Sequence, residues 1–391
     1  MLKEKRLVPQ LRFSEFEGEW KRRNIKDILT IGSGKDYKDL KSGDIPVYGS
    51  GGLMTKVNDY LYDGESIGIG RKGTIDKPIF LKGKFWTVDT LFYTHTFLES
   101  YPKFIFSQFQ RINWKLHNEA SSIPSLSKST IAKIKINIPS LEEQQKIANF
   151  LTAIDNRIQN LEKKKSGLEQ YKKGVMQKIF KQELRFKDDT STSLSASNGK
   201  TFPEWEFFKL KEVFKRSKLK NTDEKIKYVL TNSATQGIVS QNEYFDKDIA
   251  NQNNLQGYYI VEIDDFIYNP RISRAAPVGP FKRNKLSQGV MSPLYTVLSP
   301  KKGNLEFLEL YFQTTLWHRY MKLIANYGAR HDRMNITITD FENLPIPFPS
   351  IEEQTKIANF LSAIDRNIEL VTKKIGHTKT FKKGLLQQMF V

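Results

Sequence analysis

Pro139-Ser140-Leu141-Glu142-Glu143-Gln144-Gln145-Lys146-Ile147-Ala148-Asn149-Phe150-Leu151 returns later in the chain as Pro349-Ser350-Ile351-Glu352-Glu353-Gln354-Thr355-Lys356-Ile357-Ala358-Asn359-Phe360-Leu361. The match runs without a gap to Phe180 and Phe390, so one long stretch closes each half of the chain. Upstream, Leu11-Arg12-Phe13 recurs as Leu184-Arg185-Phe186 and Glu19-Trp20 as Glu204-Trp205, while Phe104 through Gln110 with Trp114 lines up with Phe307 through Gln313 with Trp317. The separation of matched segments grows along the chain, as loop insertions produce when two copies diverge. The order is therefore domain, helix, domain, helix, and near two-fold symmetry is expected.

Ser140 and Ser350 are each followed three residues later by a glutamate, the capping-box pattern of a helix start. Ile147, Ile154, Leu161, Leu168 and Val175 then recur every seven residues, with Leu151, Ile158 and Ile179 four further on. The second copy supplies Ile357, Ile364, Val371 and Leu385 with Leu361, Ile368, Ile375 and Met389. Such a heptad is a coiled-coil seam, and the narrow stripe buries best against its own duplicate, antiparallel about a pseudo-two-fold axis. Lys165, Lys172, Thr378 and Lys382 interrupt it, so packing there is expected to be imperfect or open to a partner. About 40 residues at about 1.5 Å each make a rod of about 60 Å.

The chain has 391 residues and a formal charge of +19, which favours several domains and points toward nucleic acid, an anionic membrane or an acidic protein. No apolar run follows Met1-Leu2-Lys3-Glu4-Lys5-Arg6 and no stretch is apolar enough to span a bilayer, so no membrane association is expected. With no cysteine, neither disulfides nor thiolate metal sites are available, and a cytoplasmic location is the expectation. The five histidines form no ligand cluster, so no metal site is expected. Residues 188–199, between Lys187 and Lys200, are too polar to bury and read as a flexible linker.

Gly68-Ile69-Gly70-Arg71-Lys72-Gly73 has the spacing of a dinucleotide fingerprint, but Pro78 stands where the following helix should run. Gly32-Ser33-Gly34-Lys35-Asp36 lacks both the first glycine and the hydroxyl residue of a P-loop. Tyr268-Asn269-Pro270-Arg271 resembles the Asn-Pro-Pro-aromatic turn of amino-methyltransferases, with arginine in place of the second proline. No catalytic residue is expected. The same segments suit DNA contact: glycines let backbone approach phosphate while Arg71 and Lys72 reach a groove, and Arg271, Ser273 and Arg274 occupy the matching stretch of the second copy. A second pair of loops precedes the repeated helices, with Ser122 and Ser125 in the first and Arg330, His331, Arg333 and Asn335 in the second, Ser125 aligning with Asn335. Tyr48, Asn232, Ser233, Thr235 and Gln236 complete the DNA-binding candidates.

The duplicated Pro-Ser-[Leu/Ile]-Glu-Glu-Gln-x-Lys-Ile-Ala-Asn-Phe-Leu-x-Ala-Ile-Asp segment, with the Leu-Arg-Phe and Glu-Trp openings, resembles the specificity subunit of type I restriction-modification systems over essentially the whole chain. The resemblance implies a mixed α/β (α+β) fold: a pseudo-two-fold tandem repeat of two target-recognition domains, 1–140 and 201–348, separated by two long antiparallel helices forming a coiled coil. The central spacer helix would be 141–180, the linker 181–200 and the distal spacer helix 349–391. It further implies a non-catalytic reader of an asymmetric bipartite double-stranded DNA target, one half-site per domain, docking two modification subunits and joined by two restriction subunits. S-adenosylmethionine would then belong to the modification subunits, and ATP and Mg to the restriction subunits, none bound by this chain. Half-sites one helical turn apart are about 34 Å between centres, within reach of such a rod. The alternatives are a stand-alone two-domain DNA-binding regulator and a single-chain methyltransferase.

Overall fold

The computed structural model describes residues 6–187, 194–195, 202–244, 255–326 and 332–391. The chain forms two compact units, one of Met1–Lys164 with Val371–Val391 and the other of Lys165–Leu370.

Unit 1 runs β1 (Lys21–Asn24), β2 (Thr30–Ser33), β3 (Ser42–Gly49), β4 (Gly52–Val57), β5 (Tyr62–Gly70), β6 (Ile79–Thr87), β7 (Leu91–His95), α1 (Pro102–Phe109), α2 (Lys128–Lys133), β8 (Lys135–Ile138) and into the long α3 (Leu141–Phe180). Its main sheet has six strands in the order β2-β7-β5-β6-β3-β4, and β1 pairs with β8 as a separate antiparallel ribbon. Within the sheet β3 and β6 are parallel, with Val47 opposite Trp86, and the remaining neighbours are antiparallel. Ile67, Ile69 and Phe92 from the sheet meet Phe104, Ile105 and Phe109 of α1, so that this aromatic-rich helix lies on the sheet.

Unit 2 repeats the plan with more interruptions. It contains β9 (Arg185–Phe186), β10 (Leu194–Ser195), β11 (Glu206–Lys209), α4 (Leu210–Val213), β12 (Phe214–Ser217), β13 (Leu230–Ser233), β14 (Gly237–Ser240), α5 (Gln241–Tyr244), β15 (Tyr259–Val261), β16 (Phe266–Tyr268), β17 (Phe281–Arg283), β18 (Gly289–Met291), β19 (Thr296–Pro300), α6 (Leu305–Gln313), α7 (His318–Ile324), α8 (Ile338–Glu342), β20 (Pro345–Phe348) and α9 (Ile351–Gln388). The order β12-β19-β16-β17 matches β2-β7-β5-β6, and the ribbon β11-β20 matches β1-β8. The long β5-β6 pairing is here split into β16-β17 and β15-β18, because the chain turns between them at Asp264-Asp265 and Asn284, whose backbones exchange hydrogen bonds. Val229 pairs parallel with Val290, as Val47 does with Trp86.

The repeated helices are where the sequence places them, and each contributes to both units. In unit 1, Ile147, Leu151, Ile154 and Ile158 of α3 share one core with Leu385, Met389 and Phe390 from the end of the chain and with Trp20 and Phe104 of the domain. In unit 2, Met176, Ile179 and Phe180 share a core with Ile357, Leu361 and Ile364 of α9 and with Trp205 and Phe307. The seam thus serves two contacts, the partner helix and the domain, rather than the partner helix alone. Two of the lysines that interrupt it form ion pairs: Lys382 pairs with Asp155 and Lys172 with Asp365, each at 2.7 Å, and the pairs are duplicates of one another. With Lys379 on Glu162 at 2.7 Å, the order of contacts along unit 1 is antiparallel.

The capping box is half realised. Ser140 and Ser350 accept the backbone N–H groups of Glu143 and Glu353, at 3.4 and 3.3 Å. The glutamate carboxylates turn inward instead of back along the chain. Glu143 accepts from Arg12 Nε and Nη2 at 2.8 and 2.7 Å and from Trp20 Nε1 at 3.3 Å. Glu353 accepts from Arg185 at 3.1 and 2.8 Å and from Trp205 at 2.9 Å. A buried guanidinium must find a bidentate carboxylate, a stronger demand than capping one exposed donor. The hydrogen bond that Arg12 donates to Glu143 accordingly raises the Arg12 pKa above its ordinary value. Gln144 and Gln354, both buried, bond to domain backbone from the next position. Arg185 falls within the expected linker 181–200, whose remainder is mostly outside the described residues.

Candidate nucleic-acid interface

β5 ends at Gly70, where the chain folds back so sharply that a Cβ would stand 2.0 Å from the Thr74 carbonyl oxygen. Gly73 follows at φ +85°, a conformation that glycine alone adopts without strain. This explains the glycine spacing without a nucleotide: the strand β6, not a helix, comes next. The turn is pinned on one side by Arg71 N donating to Thr90 O at 2.8 Å. On the other it forms a short ladder with the loop before α2, where Lys72 lies opposite Ser125, Leu126 N donates to Arg71 O and Gly73 N to Pro124 O.

Arg71, Lys72, Ser125 and Lys128 border an open cavity of about 600 Å³, with Ser33, Thr90 and Phe92 in its wall. The Arg71 guanidinium and the Lys128 ammonium both lie against the Phe92 ring, at 6.0 and 5.9 Å from its centroid. Glu119 is held below the ordinary carboxylate range by hydrogen bonds from Thr130 and Ser127, and so keeps its charge for ordering the loop. The cavity offers exposed cations on a preorganised backbone, an arrangement suited to phosphate with a groove edge beyond it.

The second unit builds the same ladder from different residues. Arg271 lies opposite Arg333, Ile272 N donates to Asp332 O at 2.9 Å and Met334 N to Pro270 O at 2.8 Å. Gly279, at φ +83° with Asn269 O 2.1 Å from a would-be Cβ, closes this loop. Asp332 lies 3.9 Å from Arg271 Nε and 3.8 Å from Arg333 Nε, exposed contacts too weak to withhold either cation from a polyanion. The ladder corrects the alignment read from sequence: the counterpart of Ser125 is Arg333, not Asn335.

The remaining candidates separate. Arg274 is exposed on the loop beyond Arg271, Ser122 is exposed on the loop before α2, and Gln236 is exposed at the β13-β14 turn. Asn335 is exposed and pairs through its backbone with Asn326. Tyr48 is half-buried in β3, its carbonyl accepting from Val88 N. Asn232 is a correction. It is 4% exposed and its amide donates to Ile267 O and Pro280 O, so it fastens β13 to its neighbours rather than facing a ligand. Arg330 and His331 lie outside the described residues. Phe92 and Lys128, absent from the sequence reading, enter because the loop ladder brings residues near 71 and 125 together, a proximity with no local signature. Among the described residues no group of histidine, aspartate and glutamate is arranged to hold a metal, and no helix is long and apolar enough to cross a membrane.

Comparison with known proteins gives a consistent result. The family model of the type I restriction modification DNA specificity domain matches residues 17–170 and again 203–377. The type I restriction enzyme MjaVIII specificity subunit of Methanocaldococcus jannaschii is 24% identical over 360 residues, spanning 85% of this chain and 78% of that protein. The crystal structure of a type I restriction-modification S subunit from M. genitalium superposes with a TM-score of 0.59 at 16% identity, covering 98% of this chain and 99% of that one. A chain from a study of complex assembly and conformational transition of the type I R-M system gives 0.52 at 14% identity, over 95% and 96% of the two chains. The duplicated fold and the duplicated family match agree, and the chain belongs to the specificity subunits of type I restriction-modification systems.

Proposed function

We propose that this specificity subunit reads an asymmetric bipartite DNA target, unit 1 contacting one half-site and unit 2 the other, while α3 and α9 set the unspecified gap and dock two modification subunits. The observation that carries this reading is the loop ladder built twice on one strand order from unlike residues, Lys72 opposite Ser125 and Arg271 opposite Arg333. Equal scaffolds with unequal side chains are what two different half-sites require. The excess of positive charge supplies the sequence-independent part of the affinity. In this reading the chain itself performs no chemistry. Methyl transfer from S-adenosylmethionine belongs to the modification subunits and ATP- and Mg-dependent work to two restriction subunits, all in the cytoplasm.

Footprinting of the chain in complex with its modification subunit tests the proposal. Two short protected segments about 34 Å apart, one turn of duplex, are expected. One contiguous footprint would refute it, and tight specific binding by the isolated chain would favour a stand-alone regulator. Inserting four residues near Glu162 of α3 should change the preferred gap and leave both half-site sequences intact.

A further inference from the structure

The six-stranded sheet of unit 1 ends at β4, and from Leu53 to Lys56 the side chains on both faces of this edge strand are exposed. Leu53 and Met54 are 62% and 54% exposed. Apolar side chains on an open edge invite unwanted strand pairing unless something covers them. This tip also adjoins the basic cavity. The Ser50 hydroxyl lies 3.5 Å from the position a Cβ on Gly73 would take, and the Met54 sulfur and the Val88 side chain flank the position a Cβ on Gly49 would take. Asp89 and Thr90, next along the chain, line the cavity with Arg71 and Lys72. In unit 2 the β13-β14 turn carries Thr235 and Gln236 instead, exposed and with their backbone N–H groups donated to Ser233 Oγ.

We infer that the β3-β4 hairpin tip is a specificity-determining contact of the first half-site, in which Leu53 and Met54, on opposite faces of the edge strand, each cover the 5-methyl group of a thymine in the major groove. The inference rests on the DNA-reading function proposed above. Of the groups presented by base pairs in the major groove, the thymine methyl is the apolar one, and contact with an aliphatic side chain distinguishes it. The charge beside the tip favours a polyanion over an apolar peptide as the occupant: Arg71, Lys72 and Lys128 outnumber Asp89 and Glu119 around the cavity that the tip adjoins. The two reading heads then differ in kind, one tipped with a leucine and a thioether, the other with an amide.

The experiment uses the complex with the modification subunit and DNA in which every thymine of the first protected segment is replaced by deoxyuridine, which removes the methyl and keeps base pairing. Wild-type complex should bind the substituted DNA about fourfold more weakly for each methyl that is covered. The double variant Leu53→Ser, Met54→Ser should bind both DNAs equally and leave the second half-site preference unchanged. Both side chains are exposed, so the variant's melting temperature should match wild type. Equal binding of the two DNAs by wild type, or a variant that keeps the thymine preference, overturns the inference. A variant that no longer assembles with the modification subunit also overturns it, since the tip would then be a protein contact. Absence of a bipartite footprint overturns the DNA-reading function as well, an outcome distinct from an intact footprint that is indifferent to the methyl.

Discussion

Replacing Phe390 by alanine removes a ring that is 4% exposed, stacks on Phe104 at 5.3 Å between centroids and meets Trp20 edge-on at 6.0 Å. Truncating a buried phenylalanine costs about 3–5 kcal/mol, because the transfer free energy is lost and the cavity collapses only in part. At about 1.4 kcal/mol per tenfold, a loss of about 4 kcal/mol raises the opening equilibrium of unit 1 about a thousandfold. Hydrogen exchange of the full chain, followed by mass spectrometry, reads this directly, since the slowest amides report unit-wide opening. Protection of β5 and β7 should fall by that factor while β16 and β19 keep theirs. Phe180→Ala should do the reverse, because Phe180 packs on Trp205, Phe307 and Tyr311 of unit 2. The reasoning is refuted if Phe390→Ala lowers protection in unit 1 by less than tenfold, or if either variant lowers both units equally.

Glu353→Gln leaves the Arg185 guanidinium, whose side chain is 9% exposed, without its charged partner. Denaturant titration should show a loss of about 3–5 kcal/mol, and less than about 1 kcal/mol would speak against a buried ion pair. Lys72→Ala and Arg271→Ala should each reduce the slope of log affinity against log salt by about one, measured by binding titrations at several salt concentrations; an unchanged slope removes that residue from the phosphate contacts. Burial, and then Lys322, hold the His318 imidazole pKa below its ordinary value. The folded state therefore resists protonation, so this contribution to stability is present above about pH 6.5 and is lost as pH falls through the depressed folded value. His318→Gln should flatten the fall in melting temperature between about pH 7.5 and pH 5.5, and a variant with the wild-type pH profile would count against this reading.

The long helices and their duplication were legible because a seven-residue period and a gapless repeat are written directly in the order of residues. The role of Glu143 was not. Its Ser-x-x-Glu spacing is that of a cap, and the competing partner, Arg12, is 131 residues away in sequence. The Leu-Arg-Phe and Glu-Trp matches were visible as matches, but only the fold brings both onto the glutamate of the helix motif. At the candidate interface, the turns carrying Arg71, Lys72 and Arg271 are marked in the sequence by glycine, proline and charge. Their partners could not be placed in register, because the ladder that sets Arg333 opposite Arg271 depends on tertiary pairing. Asn232 follows the same rule: its amide is consumed by two backbone carbonyls in the interior, partners that only the fold supplies.

The division of the chain into units has a consequence for synthesis. Everything unit 2 requires is contiguous, from Lys165 to Leu370, but unit 1 also needs Val371–Val391. The ribosome therefore makes residues 1–164 of unit 1 first and supplies Leu385, Met389 and Phe390 of its core only after the whole of unit 2 has been made. Trp20 and Phe104 wait uncovered by Phe390 throughout the making of the second domain, a period in which chaperones and proteases compete for them. A message cut short before codon 371 would yield a unit 2 with all its residues and a unit 1 open at its core.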